Sequence, residues 1–112
     1  MTNEQLALYE EYAADPRVQT NDDGTVTVTI EPVDYRGVTY TEIVLRKAKG
    51  RDWERTDGAK GVVGQGLQLA ASVSGVPLAV FHEMDGEDAI LCSNLAALVG
   101  KKSRTGGTSS AT

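Results

Sequence analysis

The segment Thr25-Val-Thr-Val-Thr-Ile30 alternates polar and apolar residues without a break, and every one of its side chains is β-branched. That pattern has a period of two, the period of a strand with one buried face. No other feature of the 112-residue chain limits the fold as strongly. A strand needs a pairing partner, and a strand buried on one side needs a cover. The partner is at hand in Val38-Thr-Tyr-Thr-Glu-Ile-Val-Leu45. Between the two runs lies Asp34-Tyr-Arg-Gly37, where Asp34 opens a turn and Gly37 supplies a positive φ.

The pairing register follows from the side chains. Setting Val33 opposite Val38 puts Ile30 across from Thr41, Val28 across from Ile43 and Val26 across from Leu45. One face is then almost wholly apolar, while the other carries Thr27, Thr29, Glu31, Tyr40, Glu42 and Val44. A slip of one residue would mix the two faces. A two-stranded ribbon is marginal alone, so its apolar face must rest on helices. Pro32 has no N–H to give a ladder and marks an edge position or an irregular strand end.

Helical signals flank this hairpin. Residues 3–14 read as a short amphipathic helix, with Leu6, Tyr9 and Ala13 near one side and Pro16 beyond its end. Residues 17–24 are polar and read as a connection. After Arg46, residues 51–59 form one or two helical turns with Trp53 as the apolar anchor. Val62 to Ser74 reads as a helix whose apolar residues spread over a broad arc, so it is expected to be covered on more than one side. Gly75 suits its C-terminus and Pro77 the first turn of a short helix with Leu78, Phe81 and Met84 inward. Asp85 then caps a last helix, in which Leu91, Leu95, Leu98 and Val99 keep i, i+4, i+7, i+8 spacing. Gly100 is the natural stop, with Lys101 and Lys102 complementing the helix dipole. The expected fold is a small α+β single domain, a β-hairpin packed against three or four helices. Residues 1–22 form an N-terminal helix and connection, residues 23–102 the domain, and residues 103–112, all Gly, Ser, Thr, Ala and Arg, a disordered tail.

The charge and composition exclude several functions. A net charge of −5 with no extended basic cluster argues against a nucleic-acid binder. The first residues lack the basic-then-apolar order of a secretory signal, and no apolar run approaches the ~20 residues of a membrane span, so no membrane partner is expected. His82 and Cys92 are the one histidine and the one cysteine, too few for a zinc site. Cys92, on the apolar side of a helix, reads as a small buried thiol. Gly61-Val-Val-Gly64-Gln-Gly66 is followed by Leu67 and Gln68 where a phosphate loop has Lys and Ser or Thr. The acidic group Asp85, Glu87 and Asp88 is explained by the dipole of the helix it opens. No catalytic constellation, metal site or cofactor site emerges.

The stretch from Val28 to Arg46 resembles the opening of the Mu-type phage tail assembly chaperones. The matching residues are Pro32, Val33, Tyr35, Gly37, Tyr40, Thr41, Glu42, Ile43, Leu45 and Arg46, followed by Asp52, a helix, the Ser74-Gly75 break and a helix opened by Asp85 and Asp88. The resemblance runs from about Val26 to Val99. Where the family often has an acidic residue and Pro after the Leu-Arg pair, this chain has Lys47-Ala48.

The resemblance implies a non-catalytic protein of the host cytoplasm that binds the tape measure protein and assists tail tube assembly, with the tail tube protein as a further partner. Trp53, Leu91, Leu95 and Leu98 are the candidate partner-binding residues, although each also suits a core position. The alternative is a structural virion component, such as a neck or head-tail connector protein. The resemblance also implies a recoded gene. Gly100-Lys101-Lys102 stands where a programmed minus-one slip would yield a longer frameshifted form, itself a partner of the short one.

Overall fold

A computed structural model describes residues 3–99. The elements run α1 (Asn3–Ala13), β1 (Val18–Thr20), β2 (Val26–Tyr35), β3 (Val38–Leu45), α2 (Gly50–Glu54), a 3-10 turn at Arg55–Gly58, α3 (Gly61–Ser74), α4 (Leu78–Glu83) and α5 (Gly86–Ala96). The α+β architecture is the expected one. The strands form one antiparallel sheet in the order β1-β2-β3, and none of the described helices is long and apolar enough to cross a membrane. The expected tail at 103–112, with Gly100, Lys101 and Lys102, lies outside the described residues, but α5 already ends at Ala96, short of the expected stop at Gly100.

The lower half of the hairpin has the expected register. Val26 pairs with Leu45 and Val28 with Ile43, and these four side chains are 0–1 % exposed. The upper half differs. Val33 lies opposite Tyr40, not Val38, and Tyr35 lies opposite Val38. Ile30, Glu31 and Pro32 fall in an irregular stretch between Thr29 and Val33. Pro32 has no donor to keep the ladder regular, so the strand bulges where it stands. The shift leaves only Arg36 and Gly37 in the turn, with φ of 50° and 81°. Two positive φ values in succession match the twist of paired strands, and Gly37 takes its value without side-chain strain. Asp34 therefore belongs to the strand, where it accepts a hydrogen bond from the Thr39 hydroxyl at 2.6 Å.

The third strand corrects the reading of residues 17–24 as a connection. Val18 pairs with Val28 and Thr20 with Val26. Three residues carry no periodicity of their own, so β1 exists only because β2 offers an edge. A Thr29 N–H to Arg17 carbonyl bond of 2.8 Å extends the contact.

The inner sheet face, with Val26, Val28, Ile30, Ile43 and Leu45, packs into one core with Leu69, Val73, Val80, Phe81, Leu91 and Leu95 from the helices. Burial of each such large side chain contributes about 1.5–3 kcal/mol. Gly75 ends α3 at φ 72°, as its position suggested. Pro77 sits one residue earlier than expected, immediately before α4 rather than in its first turn. Asp85 caps α5, accepting from the N–H groups of Glu87 and Asp88. α3 and α5 approach closely at Gly66, where a Cβ would stand 2.8 Å from Ser93 Oγ and 3.0 Å from its Cβ.

Candidate partner-binding groove

The residue that anchors α2 is Asp52, not Trp53. Asp52 is 0 % exposed, whereas Trp53 is 46 % exposed. The carboxylate of Asp52 is fully provided for. Arg46 donates from Nη1 to Oδ2 at 2.8 Å and from Nη2 to Oδ1 at 2.9 Å. The Ser72 hydroxyl donates to Oδ1 and the Lys49 N–H to Oδ2, both at 2.6 Å. The Arg46 guanidinium, with help from Ser72 and the Lys49 amide, holds the Asp52 carboxyl well below the usual carboxylate range. A buried charge with four donors outcompetes an indole for the inward position, and the next residue along a helix points about 100° away. Trp53 is thereby turned to the surface.

It meets other apolar side chains there. Leu8 of α1, Trp53 of α2, Val62 and Val63 of α3 and Ile90 of α5 are each at least 42 % exposed, and all five line one groove of about 640 Å³. Among the described residues the only other large exposed hydrophobics are Val38 and Val44, on the sheet. No residue lining the groove carries a charge. Leu69, Ala70, Ala71 and Val73 are buried around α3, so its second half is covered on more than one side as expected, whereas Val62, 86 % exposed, and Val63 leave its first turn open. Leu69 and Leu98 lie in the groove lining beneath the exposed residues.

The structure separates the four candidate residues. Trp53 and Leu98 line the groove together. Leu91 and Leu95 are 5 % and 0 % exposed and belong to the core. Leu8, Val62, Val63 and Ile90 are the residues that sequence reasoning missed. Val62 and Val63, seven residues before the buried Leu69 and Ala70, sit on the buried line of α3 and gave no signal; elsewhere the signal was negative, a large apolar residue off its helix's core-facing stripe. Ile90 illustrates it, one position before Leu91 and so rotated off the Leu91–Leu95–Leu98 line.

A second buried aspartate stands in the first turn of α5. Asp88, 3 % exposed, accepts from Arg17 Nη1 at 2.8 Å and from the Glu31 N–H at 2.9 Å. Arg17 also forks onto Asp15, with Nε to Oδ1 at 3.0 Å and Nη2 to Oδ2 at 2.9 Å. That bond and the Arg17 backbone N–H pull the Asp15 carboxyl down to about 2. The Arg17 guanidinium is correspondingly held above its ordinary value, chiefly by Asp15.

Nothing in this arrangement suits bond making. Cys92 is fully buried, and burial, with the Asp88 carboxylate adding, pushes its thiol up to about 12, the wrong direction for a nucleophile. His82 is exposed on α4. Among the described residues no three His, Cys, Asp or Glu side chains gather to hold a metal ion.

No curated protein and no solved structure matches the chain. The family model described as phage tail assembly chaperone proteins, E, or 41 or 14, matches residues 25–97. That span takes in the hairpin, the Arg46–Asp52 pair, the Ser74-Gly75 break and α5 with Asp85 and Asp88, the same features in which the sequence resembles such chaperones. An uncharged apolar groove and a motif set that serves the fold fit a protein that binds others, and the chain belongs to the family of phage tail assembly chaperones, which are not enzymes.

Proposed function

We propose that this chaperone holds the tape measure protein through the groove while the tail is built, in the manner of the Mu-like lineage that its hairpin resembles. The observation that carries the reading is convergence. Five of the seven large exposed hydrophobics among the described residues come from four helices into one uncharged hollow. Such a surface accepts the apolar face of an amphipathic helix. A tape measure protein is long and helical, and its apolar stripes face water until tube protein encloses them. A binder that covers those stripes in the host cytoplasm prevents aggregation and leaves when tube subunits arrive. The tail tube protein is the second partner in this scheme.

The same reading extends to the gene. The domain spans residues 23–102, and the described fold closes on Val99, 2 % exposed. A ribosome that slips at Gly100-Lys101-Lys102 keeps all of the described residues and adds a second binding domain to a longer form. A repetitive heptamer at these codons, with an open overlapping frame, is the expected observation.

Co-expression tests the partner. The intact chain should keep the tape measure protein soluble, and the chain carrying Trp53→Ser with Val62→Ser should retain it about 10- to 30-fold less well, the loss expected of two central contacts. Both side chains are largely exposed, so the fold should survive the change. Equal solubility with and without the chaperone would overturn the reading, as would finding the chaperone as a stoichiometric part of purified particles.

A further inference from the structure

We propose that α1 is a displaceable cover, which lies along α5 in the free chain and gives up its place to the partner's helix. The proposal rests on the groove being the partner-binding surface. Four observations carry it. First, α1 has no buried residue, whereas α2, α3, α4 and α5 each bury at least one. Second, α1 is bordered by hollows. The groove lies on one flank, and a second hollow of about 710 Å³, lined by Tyr12, Arg17, Ile90 and Leu91, lies on another. A third, of about 470 Å³, separates Tyr9 and Ala13 from Asn21 and Thr25. Third, the first two hollows share Tyr12, Ile90 and Asn94, so Tyr12 is the partition that α1 contributes between them. Fourth, α1 lies outside the family match at residues 25–97, so the family domain does not require it.

Release of α1 would join the two hollows into one trough along α5, from Gly86 to Leu98. The eleven residues of α5 rise about 16 Å, room for roughly three turns of an incoming helix. An 11-residue helix is marginal by itself, so α1 is stable only while docked and gives way to a longer, more apolar competitor. The Arg17–Asp88 ion pair just beyond α1 keeps the released segment tethered beside the trough.

The test uses the full chain with Ala7→Pro. Ala7 is exposed in the middle of α1, and an interior proline breaks that helix without touching the rest. Amides of α1 should then exchange freely while those of β2, β3 and α3 keep their protection. Fluorescence of anilinonaphthalene sulfonate should rise about threefold or more, and a free peptide of residues 3–15 should reverse the rise. Tyr12→Ser, which removes the partition but leaves the helix sequence otherwise intact, should shift both readouts the same way. Unchanged dye binding with α1 unprotected would overturn the proposal, because α1 would then cover nothing. Loss of core protection in both variants would overturn it too, because α1 would then be part of the core. Neither readout involves the tape measure protein, so failure here is distinct from failure of the co-expression experiment.

Discussion

Asp52 and Asp88 occupy the same place in two different helices. Each is the third residue after its N-cap and follows a glycine by two, Gly50 in α2 and Gly86 in α5. Each is essentially buried, and each accepts from one arginine and one backbone N–H. Their partners differ in origin. Asp52 draws on Arg46, Lys49 and Ser72, all inside the family span. Asp88 draws on Glu31 and on Arg17, which stands 71 residues away and before the family span begins. The same local device therefore does two jobs. At Asp52 it welds α2 to the end of β3 and to α3, and so sets Trp53 at the surface. At Asp88 it fastens an N-terminal extension to the domain.

The comparison breaks if the two aspartates prove interchangeable in effect. Asp52→Ala should be the most damaging substitution, lowering unfolding free energy by about 3 kcal/mol, because it strands the Lys49 N–H and the Ser72 hydroxyl as well as Arg46. The urea midpoint measures it, and loss should spread through the whole domain. Asp88→Ala should cost less, about 2 kcal/mol, since Arg17 keeps Asp15 and is itself one-third exposed. Its signature is location: hydrogen exchange should quicken first in α1 and β1. Equal loss of protection everywhere would show that Asp88 is a weld like Asp52.

A third substitution sharpens the contrast by touching neither ion pair. Gly66→Ala places a methyl group 3.0 Å from Ser93 Cβ, so α3 and α5 must part slightly. The expected cost is about 1 kcal/mol, at the low end for overpacking because only one small residue must yield. An unchanged melting temperature would mean the helix crossing adjusts freely.

The smallest effect is in the response to acid. Asp15 and Asp52 both have folded-state carboxyls below the ordinary value of about 4. A depressed pKa contributes stability that is fully present above the unfolded value and is lost as pH falls through the folded one. Stability should thus be level above about pH 5 and decline from about pH 4 downward, as the carboxyls that hold Arg17 and Arg46 protonate. Asp15→Asn should flatten only a minor part of that decline, because the Asp15–Arg17 pair is partly open to water.

The sequence alone determined the lower half of the hairpin, its buried set, the end of α3 and the start of α5. Those depend on local rules: strict alternation at Thr25–Ile30, β-branched side chains, Asp85 before a first turn, Gly75 after a last one. It also determined the family, because Pro32, Gly37, Leu45, Arg46 and Asp52 stand at fixed spacings along the chain. Only the tertiary structure decided the rest. β1 has no pattern of its own and forms because β2 has a free edge. The register above Thr29 shifted because Pro32 interrupts the ladder, an effect whose size the alternation cannot reveal. Trp53 faces outward because Asp52 finds Arg46 and Ser72, partners that become neighbours only after α3 folds back. The groove gathers exposed side chains from four helices over Leu69 and Leu98, which belong to buried stripes. A helical pattern tells which side of its own helix is apolar; whether another element covers that side is settled by the packing of the whole chain.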